Sequence, residues 1–241
     1  MKNILVTGVS RGLGLKITDT LLKNGYCVYG LSRNVSYPLQ CLIERYPGQI
    51  KVKIFDLFEV KKIKQEIFTE FITLNTPISG FVNNAAIAYD DLITNANYER
   101  LKNSFEINFF SAVILIKHVI RNMLFHDIKG SIVHISSISV HTGYKGLSMY
   151  AASKGAIEAL SKNIAREWGE RGIRSNCIVA GFMETDMSSK LSYEQKNRIY
   201  SRTSLKMPTS IESVAEMVLY LLSNKSISIT GQNIFVDSGT I

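Results

Sequence analysis

The 241-residue chain holds only three cysteines, four prolines and four histidines. Cys27, Cys41 and Cys177 form no Cys-x-x-Cys pair and take no metal-ligand spacing with the histidines, so neither a zinc site nor a disulfide framework is expected, and the thiols read as reduced. Long apolar runs are lacking too. Met1-Lys2-Asn3 leads into only three strongly apolar residues, Ile4-Leu5-Val6, too short for a signal-peptide core, and no apolar run is expected to reach membrane-spanning length. A cytoplasmic location is therefore the expectation. No low-complexity stretch, repeat or break in composition divides the chain.

Apolar residues make up 46% and charged residues 20%, the mix of a globular protein. The net charge of +8 is scattered. Its densest run, Lys61-Lys62-Ile63-Lys64, lies on what reads as an amphipathic helix, so nucleic-acid binding is not expected. A basic balance does suit a phosphate-bearing cofactor or an acidic carrier.

Short β-branched runs alternate with longer stretches of helical period. The strand-like runs are NILVT, CVYGLS, IKVKIFD, GFVNN, GSIVHIS, IRSNCIV and QNIFVD. Helical period is found near Leu13–Asn24, Pro38–Tyr46, Val60–Leu74, Tyr98–Phe125, Met149–Arg171 and Ser210–Leu222. Strands apolar on both faces and separated by helices imply a parallel sheet covered on two sides. The fold class is thus α/β: a single doubly wound Rossmann-type domain over residues 1–241, with about seven parallel strands and the active chemistry at their carboxyl ends. The one long irregular stretch, 182–209, reads as a substrate lid, with polar residues at Ser188, Ser189 and Lys190.

The first strand runs into TGVSRGLG, whose Gly8, Gly12 and Gly14 open a helix. Glycine permits a tight turn and close backbone approach to a pyrophosphate, and the helix N-terminus offers N–H groups and a favourable dipole. The second strand ends Gly30-Leu31-Ser32-Arg33, with no carboxylate to bond an adenosine 2′-hydroxyl. Arg33, with Arg11 in the glycine turn, suits a 2′-phosphate, so NADP(H) is favoured over NAD(H).

Tyr150 and Lys154 stand four residues apart at the start of a helix and so share a face. Ser137 lies at the carboxyl end of the fifth strand, where ligands of open α/β sheets bind. A free phenol is a poor acid at neutral pH, and a neighbouring ammonium lowers its pKa, so Lys154 is expected to tune Tyr150 as a proton donor to a carbonyl held by Ser137. His134 and His141 are close by in sequence but read as structural.

Taken together, the chain resembles the short-chain dehydrogenase/reductases over essentially its whole length, and within them the 3-oxoacyl-acyl-carrier-protein reductases. TGVSRGLG resembles the family's cofactor turn, which implies that Gly8, Ser10, Arg11, Gly12, Leu13 and Gly14 bind the nucleotide. Asp56-Leu57 resembles the pair that holds the adenine, and NNAA, with Asn83 and Ala85, the element after strand four. GFMETDM resembles the segment that covers the nicotinamide, with Gly181, Met183 and Thr185 as contacts. Asn108, Ser137, Tyr150 and Lys154 resemble the catalytic set, which implies that Lys154 bonds the nicotinamide ribose and Asn108 supports a water leading to bulk.

The resemblance implies reduction of a small-molecule carbonyl, a 3-oxoacyl thioester or similar β-keto compound, with no metal. Reduction or oxidation of a sugar, nucleotide-sugar or other secondary alcohol is the alternative, and a non-catalytic cofactor-binding sensor a remote one. It also implies a homo-oligomer, dimer or tetramer, pairing the helices of Asn108 and Tyr150, for which Val113, Ile114, Ile116, Ala156 and Ala159 are candidate faces. Three positions depart from the family pattern. Ala86 and Val140 stand where glycine is usual, and Ala180 where proline is, so an unusual path after Ser137 and a looser entry to the lid are expected. For a carrier-linked substrate, Arg171 suits an acidic carrier whereas Asp127 opposes one.

Overall fold

The computed structural model describes residues 1–185 and 191–240. Seven strands, β1 (Asn3–Thr7), β2 (Cys27–Ser32), β3 (Ile50–Ile54), β4 (Ile78–Asn83), β5 (Ser131–Ser137), β6 (Arg174–Ala180) and β7 (Asn233–Val236), form one sheet. Their order is β3-β2-β1-β4-β5-β6-β7, and every pairing is parallel. The order reverses between β1 and β4, the switch point where an α/β sheet opens a crevice.

Alternation along the strands explains the two covered faces. Leu5, Leu31, Phe81, Ile132 and Cys177 point into one apolar cluster. Their neighbours Ile4, Val6, Val28, Val82, Val133 and Ile178 point into the other. Helices α1 (Gly12–Lys23), α2 (Tyr37–Arg45) and α8 (Ile211–Leu222) cover the second cluster. The first is covered by α4 (Ser111–Phe125) and α6 (Ser148–Trp168), beside which lie the shorter α3 (Tyr98–Phe105) and α5 (Ser139–Thr142), while α7 (Tyr193–Tyr200) follows β6.

Helix starts follow side-chain capping: Ser36 accepts from Leu39 N ahead of α2, Asn97 from Arg100 N ahead of α3, and Ser210 from Ser213 N ahead of α8. Two expected helices differ from α-helical form. Val60–Leu74 is a short 3₁₀ turn followed by a π-helix at Ile63–Phe71, and Tyr98–Phe125 is interrupted by a π-helical stretch at Glu106–Phe110. Such stretches often lie at functional sites, and Asn108 is inside the second.

One sequence-level expectation needs correction. By length and mean hydropathy the stretch Tyr98–Phe125 is apolar enough to cross a membrane. In the fold, 56% of its apolar window is buried, with Ala112, Leu115, Val119 and Met123 packed into the first core cluster, as befits a helix covering a sheet.

Candidate active site

The glycine turn leaves β1 at Thr7. Gly8 and Gly12 take φ of 77° and 53°, the left-handed region that glycine enters without strain. Gly14 is constrained by space: a methyl there would sit 2.0 Å from the Gly8 carbonyl oxygen and 2.6 Å from Asn84 Nδ2. Helix α1 starts from Arg11 with no side-chain cap and no acid in its first turn, which leaves its N-terminal N–H groups and dipole suited to an anion. Beside them, Ser10 offers its carbonyl to Ser36 Oγ, which anchors the turn to α2.

The sequence reading missed two residues that hold this turn. Thr7 Oγ1 accepts from Asn84 N and Ala85 N, both at 3.0 Å, and Asn84 Nδ2 donates to Thr7 O at 2.9 Å. Asn84 therefore supports the cradle from below. Asn83, expected at the cofactor, turns its side chain into the core, 3.4 Å from His134 Nδ1. Strand alternation was the available signal, because β4 runs through Asn83 and releases the chain only afterwards.

The residues expected on the adenosine side gather at the same edge. Ser32 is in register with Ile54, and Leu31 with Thr7, so Arg33 and Asp56 leave neighbouring strands beside the glycine turn. Arg33 is exposed; Asp56 Oδ1 accepts from Phe58 N at 3.1 Å, and Leu57 is buried behind it. From across the crevice, the Thr185 side chain lies 3.8 Å from where a Cβ at Gly12 would sit. Met183 packs against the second core cluster, and Gly181 allows close approach to Thr209 and Asp237.

On the other side of the switch point, Ser137 closes β5 in register with Ala180 of β6. Its Oγ accepts from Ser139 N at 3.2 Å and from Ser139 Oγ at 3.0 Å. Lys154 is 4% exposed, donates to the Ile135 carbonyl at 2.8 Å, and holds its Nζ 5.8 Å from the centre of the Tyr150 ring. The two side chains thus share one face, as expected.

Their electrostatics correct the expectation. Burial raises the Tyr150 phenol to about 12 rather than lowering it. Burial also lowers Lys154 to about 8, opposed in part by Cys177. His134 is fully buried and pushed down to about 3, first by burial and then by Lys154, which leaves it neutral and structural.

Asn108 spends its side chain on scaffolding. Its Oδ1 accepts from Ile87 N at 2.9 Å, and its Nδ2 donates to Ile87 O and to Ser153 Oγ, each at 3.0 Å. Ser153 in turn donates to the Tyr150 carbonyl at 2.8 Å. The asparagine therefore ties the loop after β4 to the tyrosine helix.

The departures from the family pattern also find places. Val140 sits in α5, a helical turn ended by Gly143 at φ 65°, so no left-handed residue is needed at 140. Its Cγ1 would lie 3.5 Å from a Cβ at Gly155, an ordinary van der Waals contact. Ala180 is the last paired residue of β6 and its carbonyl accepts from Ile138 N, so the entry to the stretch expected to act as a lid is tied down rather than loosened. Beyond it, α7 is strapped back onto Glu184 by Tyr200 Oη at 2.6 Å and Lys196 at 3.4 Å. Ser188, Ser189 and Lys190 lie outside the described residues.

Residues 8–240 match a family model described as Enoyl-(Acyl carrier protein) reductase. This chain belongs to the short-chain dehydrogenase/reductase family. It is an oxidoreductase of the carbonyl/alcohol type. Among family relatives, it is 32% identical over 240 residues to 3-oxoacyl-[acyl-carrier-protein] reductase FabG of Chlamydia pneumoniae, covering 99% of this chain and 96% of that one. It is 30% identical over 240 residues to L-xylulose reductase of Caenorhabditis elegans, covering 99% and 95%. Among solved structures, 4-hydroxyisoleucine dehydrogenase complexed with NADH superposes with a TM-score of 0.93 at 26% identity, over 100% of this chain and 98% of that one. ElxO with NADP bound gives 0.89 at 25% identity, over 99% and 98%.

Proposed function

We propose that this family member reduces a carbonyl with NADPH, the substrate being a 3-oxoacyl thioester or a similar β-keto compound. One observation carries the reading: Tyr150 and the buried Lys154 share a face of α6 at the sheet edge that also carries Ser137 and the glycine turn. The cradle fits a dinucleotide, since the Gly14 contact leaves no room for a methyl and α1 presents an acid-free N-terminus. Gly8, Ser10, Arg11, Gly12, Leu13 and Gly14 would hold its phosphates, and Asp56 and Leu57 its adenosine side, with Ala85 packed beside Gly8. Gly181, Met183 and Thr185 would cover the nicotinamide, which supplies hydride when bound. Arg33, with no acid at the end of β2, favours the 2′-phosphate; the NADP-bound and NADH-bound relatives show that the fold accepts either form.

Tyr150 remains a phenol well above neutral pH, so it holds the proton that a developing alkoxide needs, and Ser137 donates a hydrogen bond to the same oxygen. Lys154 keeps a positive charge near that oxygen below about pH 8 and would bond the nicotinamide ribose. Asn108 fixes the helix that carries both.

The chain would act as a single domain with 182–209 as its lid, in the cytoplasm, and as a homo-oligomer. An apolar groove of about 390 Å³ between α4 and α6, lined by Val113, Ile116, Ile120, Leu160, Ile164 and Trp168, supports pairing of the helices that follow Asn108 and Tyr150. For a carrier-linked substrate, Asp127 has a conformational explanation: at φ 50° it ends α4 in the left-handed region, where aspartate is tolerated. The sugar-ketone reading has its own support in the L-xylulose reductase relative. A panel of acetoacetyl thioesters, ketoses and simple ketones, assayed with NADPH and NADH in parallel, tests both. NADPH consumption with thioesters is expected; turnover of ketoses alone would move the assignment to the second reading.

A further inference from the structure

Glu158 lies on the same helix as Tyr150 and Lys154, one turn beyond the lysine, where an amphipathic pattern would place an apolar residue or a solvated charge. It is neither. Its side chain is 7% exposed and its carboxylate gathers three separate elements. Oε1 accepts from Ser136 Oγ on β5. His141 Nε2 of α5 reaches both oxygens, at 3.0 and 3.2 Å. Oε2 also accepts from Asn233 Nδ2 of β7 at 2.6 Å. His141 is further held edge-on against Phe235, ring centres 4.9 Å apart.

These partners bracket the serine at the end of β5. Ser136 precedes Ser137 directly, and α5 follows it after Ile138 alone. Ser139, in α5, supplies both hydrogen bonds that orient the Ser137 hydroxyl. A carboxylate taken out of water persists only when its oxygens are satisfied, so Glu158 imposes positions on all its donors at once. Tyr150 and Lys154 share the rigid helix that carries it, hence the same carboxylate sets Ser137 relative to the tyrosine.

We propose that Glu158, through Ser136 and His141, is a positioning residue for Ser137, holding the end of β5 and α5 in register with the tyrosine helix. The glycine cradle is not part of this clamp. The proposal rests on the carbonyl-reductase reading for its kinetic consequence, but the clamp itself is testable without turnover.

The test compares Glu158→Gln, His141→Phe, His141→Gln and their double variants with wild type. It uses NADPH and acetoacetyl-coenzyme A for turnover, fluorescence titration for NADPH affinity, and amide hydrogen exchange for residues 138–143. Glu158→Gln and His141→Phe should each lower kcat about tenfold while NADPH affinity holds. Exchange in 138–143 should quicken in both, and the combined variant should be no worse than either alone. His141→Gln, which keeps a donor at the Nε2 position, should restore kcat. Ser136→Ala serves in place of Glu158→Gln if that variant does not fold. Unchanged kcat and exchange, an equal loss of NADPH affinity, or a His141→Gln variant as impaired as His141→Phe would each overturn the clamp. A wild type inactive on every carbonyl would sink the reductase reading instead, and the exchange comparison would then decide the clamp alone.

Discussion

The two sides of the crevice are built in different ways. On the β1 side, the cradle is main chain: left-handed glycines, an uncapped helix start and a carbonyl that passes within 2.0 Å of where a methyl would go. On the β5 side, geometry is imposed by side chains: Asn108 to Ser153, Ser139 to Ser137, and Lys154 to Ile135 O. The first is sensitive to atoms added and the second to atoms removed. That contrast fits the tasks proposed for the two sides. A pyrophosphate needs several N–H groups converging at close range, whereas a proton donor needs one hydroxyl held in a tuned environment.

Adding a single methyl to the cradle should give the largest effect. Gly14→Ala would improve helix propensity by about 1 kcal/mol, yet the clash with the Gly8 carbonyl overrides it. NADPH affinity should fall at least about 100-fold in a fluorescence titration. Affinity within a few-fold of wild type would show that the turn yields.

Removing atoms from the other side should cost stability rather than nucleotide affinity. Asn108→Ala leaves the Ile87 amide and carbonyl and the Ser153 hydroxyl without their partner, and should lower unfolding free energy by about 2 kcal/mol in a denaturant titration. A change confined to NADPH binding would blur the distinction between the two sides.

The pH dependence belongs to the tyrosine side as well. Burial depresses Lys154 to about 8, so its charge is present below that pH and lost as pH rises through it. The reductive kcat/KM for carbonyl substrate should therefore fall with rising pH across about 8, while the high Tyr150 value keeps the phenol protonated there. A rate that climbs through this window would point to a different group. The smallest effect should be at the exposed rim: Arg33→Ala should weaken NADPH by about tenfold and leave NADH nearly unchanged, as read from paired dissociation constants.

The same division decided what could be read from sequence. Glycine turns and short β-branched runs are local signals, so β1 and β2 fall where NILVT and CVYGLS placed them, and the glycines land in the conformations the turn requires. Side-chain networks are long-range and were less legible. Glu158 reads as a solvated helix charge until Ser136, His141 and Asn233 are brought around it from other elements. Asn83 and Asn84 were not separable without knowing where β4 ends. Helix α7 was hidden in a polar stretch because it buries none of its residues, although Ser192 and Gln195 form a capping box that could have marked its start. The direction of the Tyr150 shift depends on burial, and spacing alone predicted the opposite.

The most direct measurement of whether the tyrosine side carries the chemistry is a paired one on Tyr150→Phe: NADPH affinity by titration, and NADPH oxidation in the presence of a carbonyl that the wild type turns over. Affinity close to wild type with oxidation reduced by about 1,000-fold is the expected result, since the phenol supplies the proton and the opposite wall supplies the binding. Turnover within about tenfold of wild type would contradict Tyr150 as the proton donor.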